Sequence, residues 1–151
     1  FSSGAIRTDT TATIALERAR ITISIIRDER RLEVSQGEFE GMLKSDVYTP
    51  ETQRRYALNT LEGKLPSGES ILDAQRRKRD FLDEKHLQYP DGVVLVFGHG
   101  LAIRSLAGQI RDFTKQQILT GDETSNVSLT KITVINQVPT VHFVGKTVIT
   151  E

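Results

Sequence analysis

A histidine held between two glycines is the position in this chain best placed to do chemistry. Gly98-His99-Gly100 closes the apolar run Val93-Val94-Leu95-Val96-Phe97. An imidazole exchanges a proton near neutral pH and binds an anion when charged. The flanking glycines remove side chains where the backbone must turn sharply or approach something closely. The run is short and β-branched, and Asp91-Gly92 starts it like a turn, so it reads as a strand buried on both faces of a parallel sheet. Helical spacing follows from Leu101 to Ile110. His99 is therefore expected at the carboxyl end of a strand, in the strand-to-helix crevice where open α/β sheets take their ligands. Read alone, the other charged groups say less. Arg7 falls in a first helical turn, where arginine is usually solvated. Glu33, with Glu38 and Glu40 close by, reads as a surface acid. Arg76-Arg77-Lys78-Arg79 is mixed with acids and reads as a solvated helix face. His86 and His142 are incidental and share no metal-ligand spacing with His99, so neither a metal nor another cofactor is expected. Gly-x-Ser-x-Gly does not occur, which removes the serine-hydrolase elbow.

The elements that must position these groups follow from spacing. Residues 5–18 are a helix, capped by Ser2 or Ser3, with Ile6, Ala12, Ala15 and Leu16 as its inner face. Residues 21–26 are β-branched and read as a strand. A polar loop, 28–41, precedes a weak amphipathic helix over 50–62 that starts after Thr49-Pro50. Leu65-Pro66-Ser67-Gly68 is a turn. Residues 69–89 form a long helix with Ile71, Leu72, Ala74, Phe81 and Leu82 as apolar positions. The strand 93–97 and the helix 101–111 come next. Residues 127–135 and 139–149 alternate like two edge strands, antiparallel to each other. The order α, β, α, α, β, α, β, β predicts an α/β fold, a three-layer sandwich with a mostly parallel sheet and helices on both faces. One domain is expected over 1–151. Ser2-Ser3 looks like the turn after a strand, so a first βα unit of roughly 30 residues is expected to be missing. Phe1 starts the chain and Met42 is its single methionine, so the expectation is a processed product, a recombinant piece or part of a longer chain.

Bulk properties limit the function classes. The chain has 151 residues, enough for a real core. Twenty Lys plus Arg balance twenty Asp plus Glu, so the basic footprint of a nucleic-acid binder is absent. Cysteine is absent, which excludes disulfides and thiolate metal sites and suits a cytoplasmic protein. No apolar run approaches membrane-spanning length and no signal-peptide pattern opens the chain, so no membrane partner is expected.

Five motifs, in order and over most of the chain, resemble the histidine phosphatase superfamily, the phosphoglycerate mutase-like fold. Ser2-Ser3-Gly4-Ala5-Ile6-Arg7 with Thr11-Ala12 resembles its Ser-Ser-x-x-x-Arg…Thr-Ala segment. Leu32-Glu33, Gly37 and Glu40-Gly41 resemble its Glu-Gly loop. Pro66-Ser67-Gly68-Glu69-Ser70, Asp73 and Arg77 resemble its Pro-x-Gly-Glu-Ser helix start. Val94 to Gly100 with Ile103-Arg104 resembles its second-histidine strand, and Asn126-Val127-Ser128-Leu129-Thr130 the segment before its last strands. The family's opening Arg-His-Gly, with the nucleophilic histidine, and its second pocket arginine have no counterpart here. Gly4, Thr8 and Phe97-Gly98 are smaller departures.

The resemblance implies phosphoryl transfer through a phosphohistidine. Charge spreads over three equatorial oxygens, so such chemistry needs positioned cations and hydrogen-bond donors. Arg7 is then the guanidinium fork at a helix start. His99 donates to the phosphoryl oxygens, as neutral ring or imidazolium. Glu33 is the general acid and then the base that activates water. Ser3, Gly100 and Leu101 are implied substrate-binding positions. Glu69 and Arg77 read as structural, a helix start and a helix-face ion pair. The implied function is phosphomonoester hydrolysis of a small phosphorylated substrate by the intact protein. A phosphoglycerate mutase is the alternative, disfavoured by the short stretch from Met42 to Leu65. An inactive phospholigand-binding or interaction module is the other. Arg7 and His99 are expected to converge on one crevice with Glu33 at its mouth.

Overall fold

A computed structural model describes residues 1–121 and 123–147. Helices α1 (Ile6–Arg18), α2 (Lys44–Val47), α3 (Pro50–Arg55), α4 (Ile71–Gln88), α5 (Gly100–Ile110) and α6 (Lys115–Thr120) precede strands β1 (Ser128–Ile135) and β2 (Val138–Thr147). Single 3-10 turns form at Glu29–Arg31 and Gly37–Phe39. The class is α/β.

Ser2 is the keystone of the site end. Its N–H donates to Ile26 O at 2.9 Å and its carbonyl accepts from Asp28 N–H at 2.9 Å. On the other side Ser3 N–H donates to Phe97 O at 3.3 Å, and Phe97 N–H to Phe1 O at 2.9 Å. Both bridges, Ser2 to Arg27 and Ser2 to Phe97, are parallel. Three segments thus lie side by side and end at the same level. From those ends the chain enters α1, the 29–31 turn and α5. Parallel pairing with carboxyl ends flush is what builds a strand-to-helix crevice.

The expected strands 21–26 and 93–97 are corrected. Residues 21–26 form no bridge, Arg27 just beyond them forming one, and the second segment is bridged at Phe97. Apolar side chains of both segments are exposed, Ile23 at 59% and Val93 at 90%.

The regular sheet is the β1–β2 hairpin, antiparallel, with Ile135 opposite Val138. Asn136 and Gln137 both take positive φ, 51° and 65°, as a two-residue turn matched to strand twist requires. Residues 148 and 149 of the expected last strand lie outside the described residues.

Helix boundaries also shift. The helix expected over 50–62 stops at Arg55, and Ala57 then takes φ 49°, which no helix tolerates. Ala5, not Ser2 or Ser3, is the N-cap of α1 and supplies no side-chain bond. The buried face of α1 is Thr8, Ala12 and Leu16, while Ile6 is 86% exposed and Ala15 is exposed. The helix turns by 100° per residue, so Thr8 and Ala12 face inward together and Ile6 cannot join them.

Two clusters hold these elements together. Val34, Ile71, Ala74 and Ile118 form one, with Leu61, Leu101 and Phe113 against it. Val47, Leu58 and Leu65 form the other, with Phe39 and Tyr56. Helices α4 and α5 pack through small residues, Ala74 and Ala102, both essentially buried, and the Gln75 amide donates to Ser105 O at 3.1 Å. Ser70 starts α4 with a complete capping box: its hydroxyl accepts from Asp73 N–H and the Asp73 carboxylate accepts from Ser70 N–H. Replacing Ser70 by alanine is expected to cost about 1 kcal/mol, read as a fall in Tm of about 2–4 °C. Gly37 lets the Glu33 loop close on the next turn. It has φ +58°, and a Cβ there would lie 2.1 Å from Pro66 O.

Candidate active site

His99 is 6% exposed and serves as the N-cap of α5 without capping it by its side chain. The ring is bonded at both nitrogens. Arg7 donates to Nδ1 from Nε at 3.2 Å and from Nη2 at 2.8 Å. A guanidinium has no acceptor, so Nδ1 carries no proton and the ring is neutral with its hydrogen on Nε2. That hydrogen points to Ser3 Oγ at 2.9 Å. Ser3 donates onward to Thr8 Oγ1 at 2.8 Å, and Thr8 to Ala5 O at 2.8 Å. The relay has one consistent direction, from imidazole to backbone carbonyl. Burial, and then the charge of Arg7, hold the His99 pKa below its ordinary value; Lys78 and Arg31 act in the same direction and Glu33 opposes.

The expected pair therefore converges. Arg7 is an exposed residue, but its guanidinium reaches His99 from the first turn of α1. Its Nη1 makes no bond among the described residues. Glu33 is near, though differently engaged than expected at a mouth. Oε1 accepts from Ala102 N–H at 2.8 Å and from Val34 N–H at 2.9 Å, and Oε2 from Leu101 N–H at 3.3 Å. The carboxylate thus caps α5, whose N-terminal N–H groups lack helical partners. Leu101 spends its N–H on Glu33, and Ser3 spends its hydroxyl on His99 and Thr8. Gly100 begins α5, where a Cβ would lie 2.7 Å from Thr124 Oγ1. His86 sits in the last turn of α4, and His142 bonds Thr133 in the hairpin at 2.8 Å. Among the described residues no three His, Asp or Glu side chains form a metal-holding group.

The Glu33 loop hangs from α4. Arg77 pairs with both oxygens of Glu69, at 2.5 and 2.6 Å, the expected structural ion pair. It also donates to Arg30 O at 2.6 Å, Leu32 O at 2.9 Å and Glu33 O at 3.0 Å. The 76–79 run is corrected as a uniform solvated face. Lys78 is wholly buried and donates to Leu32 O at 3.3 Å. Burial first, then Arg77 and Arg31, push its pKa down to about 7. Sequence reasoning missed Lys78, though a signal existed: Ile71, Ala74, Lys78, Phe81 and Lys85 are spaced three and four apart, one stripe of a helix, and all five are buried. Arg31 was missed too. It is 5% exposed, its Nε finds no hydrogen-bond partner among the described residues, and its guanidinium lies 4.8 Å from the Phe81 ring centre.

The sequence profile of the histidine phosphatase superfamily (branch 1) matches residues 1–147. This chain belongs to the histidine phosphatase superfamily. Among the superfamily's members, it is 30% identical over 124 residues to 2,3-bisphosphoglycerate-dependent phosphoglycerate mutase 2 of Gloeobacter violaceus, covering 78% of this chain and 56% of that protein. It is 28% identical over 95 residues to phosphoserine phosphatase 1 of Hydrogenobacter thermophilus, covering 61% and 45%. The chain thus spans about half the length of these relatives. Among solved structures, Bacillus stearothermophilus YhfR superposes with a TM-score of 0.83 at 21% identity, covering 97% of this chain and 73% of that one. A mycobacterial glucosyl-3-phosphoglycerate phosphatase with inorganic phosphate gives 0.76 at 19%, covering 97% and 75%. At such identities these two speak for the fold. Among the described residues no helix is long and apolar enough to cross a membrane.

Proposed function

We propose that the intact superfamily member hydrolyses phosphate monoesters of small cytoplasmic molecules through a phosphohistidine intermediate. The observation that carries this is the Arg7–His99 pair, bonded at 2.8 Å at the flush carboxyl ends of three parallel segments. Arg7 turns part of its fork, with the free Nη1, to the phosphoryl oxygens. The Nε2–H of His99, released from Ser3, donates to the same oxygens. Ser3, Gly100 and Leu101 are the substrate-binding positions of this reading, Ser3 and Leu101 once released from His99 and Glu33. In this reading the nucleophile is the histidine of the superfamily's Arg-His-Gly segment, a role matched by none of His86, His99 and His142. Its nitrogen bonds to phosphorus as the ester P–O bond breaks, and the leaving alkoxide takes a proton from Glu33. Glu33 then accepts a proton from water as that water bonds to phosphorus and the P–N bond breaks, giving inorganic phosphate. To act, Glu33 gives up one of its α5 hydrogen bonds. The same reading takes residues 1–151 as one domain and its three bridged segments as part of a three-layer sandwich.

Similarity to a phosphoglycerate mutase supports a second reading, in which the phosphoryl group returns to another hydroxyl. Against it, the stretch from Met42 to Leu65 holds only α2, α3 and a small core, and offers little wall to retain an intermediate. Incubating the full-length protein with 3-phosphoglycerate separates the two. Free phosphate without isomerised product is expected; an isomerised product sinks the phosphatase reading. Phosphate binding without turnover means a phospholigand-binding module.

A further inference from the structure

We propose that Lys78 is a positioning residue for Glu33, acting from inside α4 through the Leu32 carbonyl on the Glu33 loop. Lys78 stands in the apolar stripe of α4 with no exposed surface, and among the described residues its one hydrogen bond is to Leu32 O at 3.3 Å. An ammonium taken out of water needs strong compensation, and a structural stripe position is ordinarily filled by an apolar side chain. Here the charge is spent on the peptide next to Glu33. That peptide's neighbours are already held: Arg77 takes Arg30 O and Glu33 O, and shares Leu32 O. Lys78 therefore completes a four-bond clamp on the carbonyls of Arg30, Leu32 and Glu33, and the clamped segment aims the Glu33 carboxylate at the N–H groups of Leu101 and Ala102.

The clamp is sensitive to pH. The charged groups acting on Lys78 are Arg77 on its own helix, Arg31 and Glu33 on the loop, and Glu69 before α4; Lys78 in turn bears on His99 across the crevice. With its pKa near 7, Lys78 is charged below that pH and its bond to Leu32 O is charge-assisted. Above it, the neutral amine holds the carbonyl more weakly. The proposal rests on the reading of Glu33 as the proton-transfer group, but its test does not require turnover.

Hydrogen exchange by NMR on the full-length protein reads the clamp at the Leu101 and Ala102 amides, with Leu106 and Ala107 inside α5 as reference. After correction for intrinsic rates, protection of the first pair relative to the second is expected to fall as pH rises through about 7. In Lys78→Met it is expected to be about ten-fold lower at pH 6 and independent of pH. An unchanged ratio in Lys78→Met, or a flat ratio in the unaltered chain, overturns the proposal. The pH series alone decides if the variant does not fold. In the full-length enzyme the same substitution is expected to lower kcat about ten-fold with KM within about two-fold; a rise in KM with kcat intact also overturns it. Absence of turnover in the unaltered enzyme counts against the phosphatase reading, while the exchange ratio still judges Lys78.

Discussion

Replacing His99 by alanine in the full-length protein is expected to lower kcat/KM for a generic phosphate ester by about 10²–10³-fold, the usual cost of deleting one donor aimed at developing charge in a closed site. The imidazole is buried and bonded at both nitrogens, so its removal does three things at once. It deletes the Nε2 donor, strands the Ser3 hydroxyl, and frees the Arg7 guanidinium to swing into solvent. The last effect lowers substrate affinity, so the loss is expected in both kcat and KM. Far-ultraviolet circular dichroism and Tm guard against a folding artefact, and the substitution truncates a side chain that belongs to neither core cluster. Steady-state hydrolysis of p-nitrophenyl phosphate measures the effect. Unchanged turnover would falsify the site.

Arg7→Ala is expected to be as damaging, about 10²–10³-fold in kcat/KM, and Arg7→Lys to recover only a small part of it. A lysine retains the charge but not the planar fork, and from the first turn of α1 its single ammonium cannot address Nδ1 and a phosphoryl oxygen together. A second, independent consequence follows on the ring itself. The Arg7 charge is, after burial, the main cause of the depressed His99 pKa. Its removal is expected to raise that pKa toward the ordinary range, seen by NMR titration of the His99 ring protons in the full-length protein. A His99 titration unmoved by Arg7→Ala contradicts the contact. Full activity in Arg7→Lys contradicts the fork.

Much of the site was legible because it is carried by short motifs. The glycine pair around His99 follows from a backbone that must leave an extended segment and enter α5 at once. Arg7 is fixed by its distance from Ser2-Ser3, since one helical turn sets its reach. Glu33 was legible as a residue but not in its contacts: its partners are N–H groups 68 and 69 residues further along the chain, and no local pattern encodes such a pairing. The capping expectation for Ser2 and Ser3 failed for a related reason. Their hydroxyls were read against the nearest helix, whereas Ser3 turns to a histidine 96 residues away.

The charge run 76–79 shows where residue type misleads. Four cations in sequence invite one environment, yet a helix distributes consecutive residues around its circumference. Arg76 meets solvent, Arg77 reaches the Glu33 loop, and Lys78 is drawn into the α4 stripe and loses its water.

By itself the sequence determined the family, the α/β class, the helices with strong periodicity or caps, and the three residues, Arg7, Glu33 and His99, that come together. Those properties are local, set by spacing, propensity and motif. Only the tertiary structure decided the protonation of His99, the capping of α5 by Glu33, the burial of Lys78, and the replacement of two expected strands by isolated bridges at Arg27 and Phe97. Each depends on which distant group supplies a hydrogen bond or withholds water, and that is settled when the segments meet.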